Sequence, residues 1–238
     1  MSMLIALALV AAQPASAAGP AIQAEGGKGT AGSNKQTKDT LAVQIEQASE
    51  LLKRGQPADV VPIVDQAIAS VEAQHLGPQK LYCARSDTES LLYLMMAANK
   101  KVAARVLGSD ACYAYFLKGF ALIDLNRSDE AKPYFDKAIE LEPMNAQFLA
   151  ERGEWFKSRK DWDHAYSDFK AAADGAEFSP DDMKSSEKRR GWRGMAYART
   201  EQRQLKEARD LLQKCLKLEP SDDKCKHELD YVNHLPSN

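Results

Sequence analysis

The feature that most constrains this chain is the stretch Cys112–Pro143, which has the pattern of two helices folded back on each other. Each half carries apolar residues at helical spacing, and residues 126–128 separate the halves. Gly119 and Ala131 are small where two such helices would cross, so that their backbones can approach closely. A hairpin of this kind cannot bury its apolar face alone, and it therefore predicts further units packed beside it.

The hairpin recurs. A shift of 34 residues places Gly119 on Gly153 and Phe135 on Phe169. A third copy repeats the same internal spacing with Trp192, Ala196, Ala208, Leu212, Cys215 and Pro220. The period and these positions resemble the tetratricopeptide repeat, here in a protein of exported bacterial type, and the resemblance covers roughly residues 41–234. It implies an all-α fold, a right-handed α-solenoid of stacked helical hairpins with a C-terminal capping helix, and a protein-binding role.

Two segments precede the repeats. Residues 1–18 have the pattern of a secretory signal peptide, because the apolar run Leu4–Ala12 is followed by the cleavage-site pattern Ala15–Ala17. The segment before that run has no Lys or Arg, which leaves an apolar tail as the alternative. Residues 19–40 are glycine-rich without periodicity, and we expect a flexible linker there. A signal peptide predicts a secreted protein, periplasmic in a bacterium with two membranes.

Five hairpins and a cap are expected after the linker. Their predicted bounds are 41–75, 81–108, 112–145, 146–178 and 180–220, with the capping helix over 221–234. The second of these is the least regular. Ser179 followed by Pro180 predicts an N-cap and the first position of one long helix, which continues to about Glu201.

Composition and motifs exclude several classes of function. The 32 basic and 34 acidic residues nearly cancel, so that nothing in the composition indicates a nucleic-acid partner. No run of 18 apolar residues follows the N-terminus, and no internal membrane span is expected. The histidines are scattered, the common catalytic and nucleotide-binding motifs are absent, and Cys215, Cys225 and His227 lack a fourth zinc ligand. We expect neither an enzyme nor a bound metal or cofactor.

The four cysteines are even in number, and export would permit disulfides. The expected pairs are Cys215–Cys225, which are close in sequence, and Cys83–Cys112. The alternative is four buried thiols that act as small apolar residues.

The resemblance also implies where a partner binds, namely along the first helix of each hairpin. The expected groove residues are Tyr113, Phe116, Phe120, Ile123, Glu154, Lys157, Arg190, Arg193 and Tyr197. They grade from an aromatic end to a basic end and predict a segment with apolar anchors and an acidic end. Two alternatives stay open: the unit before Cys112 covers the aromatic residues and makes them core, or the basic residues form a solvated, ion-paired face.

Two functions fit this pattern. The first is a scaffold or adaptor that binds a peptide or protein partner in the groove of the solenoid, in an exported compartment. The second is a structural or assembly subunit of an envelope complex, whose solenoid is permanently covered.

Overall fold

The computed structural model describes residues 31–73 and 77–236. The predicted signal peptide and the linker as far as residue 30 lie outside these residues. The rest of the linker does not have the expected irregular structure, because the first helix begins at Ala31 rather than near Leu41. A helix that is already nucleated by packing further along the chain extends at little cost, since each added residue gains one hydrogen bond.

The fold is all-α and tetratricopeptide-repeat-like, which confirms the predicted class. The helices are α1 (Ala31–Lys53), α2 (Pro57–Ala73), α3 (Asp87–Asn99), α4 (Asp110–Asp124), α5 (Ser128–Leu141), α6 (Ala146–Ser158), α7 (Trp162–Gly175), α8 (Asp181–Glu201), α9 (Leu205–Leu218) and α10 (Asp223–His234). Four hairpins follow one another as α1–α2, α4–α5, α6–α7 and α8–α9, and α10 packs against α9 as the cap. Among the described helices, none is long and apolar enough to cross a membrane.

The segment expected to be the second hairpin is different, and the prediction for 81–108 was wrong. Strand β1 (Lys80–Ala84) pairs in parallel with strand β2 (Ala104–Gly108), and α3 makes the crossover between them. We call Lys80–Gly108 the insert. Residues 81–84 are all buried, which suits a strand covered on both faces. Ser86 then starts α3, since its side chain accepts a hydrogen bond from the backbone N–H of Glu89.

The repeated small and aromatic residues form the contacts between helices. Ala131, Phe135 and Phe169 are completely buried. A Cβ at Gly119 would stand only 2.8 Å from the ring of Phe135. At Gly194 a Cβ would overlap the ring of Phe169, so that α7 and α8 can approach this closely only because Gly194 has no side chain.

Both expected cysteine pairs are bonded in the structure. The bond between Cys83 and Cys112 joins β1 to α4, with a Cα–Cα distance of 6.1 Å, and the bond between Cys215 and Cys225 joins α9 to α10, with 6.3 Å. All four side chains are fully buried. The disulfides therefore attach the two elements that are not regular hairpins, the insert and the cap, to the repeats.

Candidate partner-binding groove

The first helices of the regular hairpins carry the predicted groove residues. Helix α4 supplies Tyr113, Phe116, Phe120 and Ile123, α6 supplies Glu154 and Lys157, and α8 supplies Arg190, Arg193 and Tyr197. Helix α6 packs beside α8, and α8 also contacts the cap α10. The three sets of residues differ strongly in exposure and in the partners that they already have.

The aromatic end is mostly core. Phe116 is 1% exposed, and its ring stacks on that of Phe148 in α6, with a centroid distance of 5.0 Å. Phe120 and Ile123 are partly buried against the N-terminal core. Phe116 is therefore not a partner contact, and its place in the predicted groove is corrected. Helices α5 and α6 and the first hairpin cover these side chains. The alternative stated from the sequence had expected the unit before Cys112 to cover them.

Tyr113 is half-buried at the same end. Its hydroxyl accepts a hydrogen bond of 3.0 Å from the side-chain amide of Gln147, which ties α4 to α6. Burial raises the pKa of Tyr113 to about 12, although the hydrogen bond to Gln147 opposes the rise. A hydroxyl held in this way supports the packing of the two helices more than it offers a contact to a ligand.

The basic end is ion-paired. Arg190 Nη2 lies 2.6 Å from Glu151 Oε1, which joins α8 to α6. Arg193 Nε donates to Glu228 Oε1 at 2.9 Å, which joins α8 to α10. The expected cationic end is thus largely neutralised within the protein. The second sequence alternative is right that these residues are ion-paired, but the partners of Arg190 and Arg193 lie on α6 and α10 rather than on α8 itself.

The exposed aromatic residues of this surface lie at the C-terminal end of the repeats. Tyr197 is 44% exposed and Tyr231 of α10 is 60% exposed. The ammonium group of Lys157 lies 4.4 Å from the centroid of the Tyr197 ring, in a cation–π contact, and Lys157 also pairs with Glu154 at 2.6 Å. Burial raises the pKa of Tyr197, and the charges of Glu201 and Glu154 and the hydroxyl of Tyr231 raise it further. The open aromatic surface is therefore at the opposite end of the repeats from the predicted one.

Sequence analysis missed a buried charged group that the insert brings to the repeats. We call Arg85, Glu89, Glu142, Ser179 and Glu187 the Arg85 cluster. The guanidinium group of Arg85 contacts Glu89 at 2.8 Å, Glu187 at 2.9 Å and Ser179 Oγ at 3.0 Å, and its Nε lies 3.5 Å from Glu142. The side chain of Arg85 is 11% exposed and the three glutamates are still more buried. One residue of the insert thus joins α3, the end of α5 and α8.

Ser179 departs from its predicted role. The N-cap of α8 is Pro180, and the structure shows no side-chain cap. The hydroxyl of Ser179 instead donates to Glu187 and accepts from Arg85. A buried guanidinium group needs acceptors for its N–H groups, and this demand takes the serine away from the helix start.

Glu142 is the unusual acid of the Arg85 cluster. It accepts hydrogen bonds from Asn145 Nδ2 at 2.9 Å and from Ser109 Oγ at 3.1 Å. Burial nevertheless raises the pKa of Glu142 to about 7, because the cost of desolvating the charged carboxylate outweighs its attraction to Arg85. The negative charge of Glu89 raises this pKa further. Three carboxyl groups face one guanidinium group here, and a proton on Glu142 relieves the excess of negative charge.

A candidate metal group also appears, at Cys215, Asp222 and Cys225. The two sulfur atoms are bonded to each other, so neither is a thiolate that could bind a metal. Asp222 has another role, because its carboxylate caps α10 at the N–H of Cys225 and pairs with Arg189. In the oxidised protein this group is structural.

Comparisons with known proteins agree with this architecture. The family profile described as tetratricopeptide repeat matches residues 113–145, the hairpin of α4 and α5. The structure of PilF from Pseudomonas aeruginosa has a TM-score of 0.58 at 13% identity, over 83% of this chain and 69% of PilF. The structure of MamA from Desulfovibrio magneticus RS-1, from residue 41 to its end, has a TM-score of 0.52 at 17% identity, over 82% of this chain and 84% of that one. No curated protein sequence matches the chain significantly.

At such low identity the structural likeness shows the fold alone. Residues 113–145 form a tetratricopeptide repeat, and the recurring hairpins give the chain a tetratricopeptide-repeat-like fold. Proteins with these repeats generally mediate protein–protein interactions.

Proposed function

We propose that this protein is a non-catalytic scaffold that binds a protein segment in an exported, periplasmic compartment. The observation that carries the proposal is the exposed pair Tyr197 of α8 and Tyr231 of α10, which lie close enough for Tyr231 to raise the pKa of Tyr197. Exposed tyrosines with a nearby cation are typical of binding surfaces, since they offer a large rigid contact area and a hydrogen-bonding tip. The signal-peptide pattern at residues 1–18 supports the compartment.

The chemistry of the surface defines the segment that fits it. Lys157 holds its ammonium group over the ring of Tyr197 and can pair with an incoming carboxylate. The ring of Trp162 also lies near that of Tyr197, with a centroid distance of 6.1 Å. We infer a segment with one or two apolar side chains for the aromatic rings and an acidic residue for Lys157.

Site-specific cross-linking in living cells tests this function. A photoreactive amino acid is placed at position 197 or 231 in the full chain, and at Gln213 as the control. Gln213 is exposed on α9, a second helix of a hairpin, and is not part of the tyrosine surface. Positions 197 and 231 should give the same discrete protein adduct in the osmotic-shock fluid, and position 213 should not. Replacement of Lys157 by Glu should remove that adduct.

Two outcomes would contradict the proposal. Equal adducts at 197, 231 and 213 would mean that the contacts are not specific to the tyrosine surface. An adduct that is recovered only inside the spheroplasts would contradict the exported compartment.

A further inference from the structure

The outer face of α3 carries an unusual group of apolar side chains. Leu91 is 61% exposed, Leu94 44% and Met95 56%, and their spacing places them on adjacent turns of one face. Val102, 42% exposed, follows directly after the helix, and its N–H donates to the carbonyl of Ala97 at 3.0 Å. Four of the eight strongly exposed large apolar side chains among the described residues thus lie within one short stretch. We call Leu91, Leu94, Met95 and Val102 the α3 patch.

The inner face of the same helix explains why the patch points outward. Tyr93 is completely buried and Ala97 nearly so, packed with the strands of the insert. Glu89 is buried with Arg85. Because the Arg85 cluster and the disulfide of Cys83 fix the insert to the repeats, α3 cannot turn its apolar face inward without breaking both.

The charges around the α3 patch have one sign. The sequence from Ser90 to Ser109 contains no Asp or Glu. Its basic residues Lys100, Lys101 and Arg105 are exposed, and none has an ion pair with the described part of the chain. Lys100 and Lys101 follow α3 directly, whereas Arg105 lies on the face of β2 opposite to Ala104 and Val106, which pack toward α3. Two exposed acids flank this segment in the sequence: Asp87 in the first turn of α3, at the opposite end of the helix from Lys100 and Lys101, and Asp110 in the first turn of α4. The chain as a whole has a net charge of −2, so this cationic end is local.

We propose that the α3 patch, together with Lys100 and Lys101, rests on an anionic lipid bilayer. Aliphatic side chains without hydrogen-bonding groups suit the boundary between headgroups and acyl chains, and unpaired cations beside them suit lipid phosphates. The patch is the outward face of a helix, whereas a peptide ligand binds in a groove between elements or adds to a sheet. This surface would hold the solenoid flat against a membrane without crossing it, and it does not depend on the function proposed above.

Vesicle flotation with the full chain tests this proposal. The vesicles contain either phosphatidylcholine alone or about 30% phosphatidylglycerol in phosphatidylcholine. The protein should float with the anionic vesicles, and less so as salt is raised, since the attraction is screened. The double variant Lys100→Gln/Lys101→Gln should bind about 30-fold more weakly, from roughly fivefold per cation. Leu91→Gln/Met95→Gln should also lose binding.

The matched control is Lys206→Gln/Lys214→Gln, which removes the same charge from two exposed lysines of α9 that likewise have no ion pair with the described residues. It should bind as the wild type does. All variants keep the apolar run at residues 4–12, so a difference among them reports on α3 alone. Unchanged thermal unfolding shows that each variant is folded.

Three results would overturn the proposal. Flotation that is the same in all variants would assign lipid binding to another part of the chain. Absence of flotation of the wild type would exclude a lipid surface. Concentration-dependent self-association that Leu91→Gln/Met95→Gln abolishes, without flotation, would make the α3 patch an interface between two copies.

Discussion

The regular repeats from Cys112 to Pro220 and the insert are held in this molecule by different kinds of contact. In two of the repeats, equivalent small and aromatic residues meet where the helices cross, as Gly119 meets Phe135 and Gly153 meets Phe169. The insert has a small apolar cluster of its own around Tyr82 and Tyr93. It is attached to the repeats by a disulfide, by Arg85, and by the packing of Leu81 and Leu107 against the N-terminal core. Periodic packing spreads stability over many residues, whereas the insert depends on a few attachment points.

The largest expected effect comes from the periodic packing. Phe169 is fully buried and touches the places where Gly153 and Gly194 allow close approach, so Phe169→Ala leaves a cavity between two repeats. We expect the free energy of unfolding to fall by ~3–5 kcal/mol in chemical denaturation. Tyr231→Ala, at an exposed ring, is the control and should change it by less than ~0.5 kcal/mol. A loss below ~1 kcal/mol for Phe169→Ala would mean that the repeats do not depend on this residue.

A smaller effect concerns the pH dependence of the Arg85 cluster. The pKa of Glu142 is about 7 in the folded protein, above its ordinary value, so the folded state holds this proton more tightly than the unfolded state. Its contribution to stability is therefore present at pH 5 and is lost as the pH rises through 7. Arg85, Glu89 and Glu187 are the charged groups that face Glu142 at this site.

Between pH 5 and pH 8 the free energy of unfolding should decrease by up to ~3 kcal/mol because of Glu142. Glu142→Gln should flatten this slope and be more stable than the wild type at pH 8. Glu140→Gln, two residues away at an exposed acid, should keep the wild-type slope. Equal slopes for wild type and Glu142→Gln would show that the carboxyl group does not carry the raised pKa.

The sequence predicted the repeats because their signal is local and periodic. The all-α class, the matched positions of three hairpins and the long helix up to Glu201 follow from residues within one repeat length. The two cysteine pairs were also predicted, from the even number of cysteines and from their positions in the sequence. The predicted groove was less accurate, since the burial of Phe116 depends on Phe148 in the next hairpin, which no pattern within α4 reveals.

The insert was not predicted for two physical reasons. A short apolar run such as Leu81–Ala84 fits a strand and a buried helix equally well. One local signal was available, because Ser86 and Glu89 form the spacing of a capping box and mark the start of α3 after β1. The attachment of the insert to the repeats had no local signal in the sequence, because Arg85 bonds to Ser179 and Glu187, which are 94 and 102 residues away.

The central claim is that the insert is docked on the repeats through Arg85, and hydrogen–deuterium exchange of the amides in β1 tests it most directly. In the wild type, those amides of Lys80–Ala84 that bond to β2 should exchange as slowly as those in the middle of α6. In Arg85→Met they should exchange much faster while α6 stays unchanged, because the buried glutamates lose their counter-charge and the insert opens locally. Arg105→Met, at an exposed arginine of β2, should behave as the wild type does. Fast exchange of β1 in the wild type, or no change in Arg85→Met, would contradict the account.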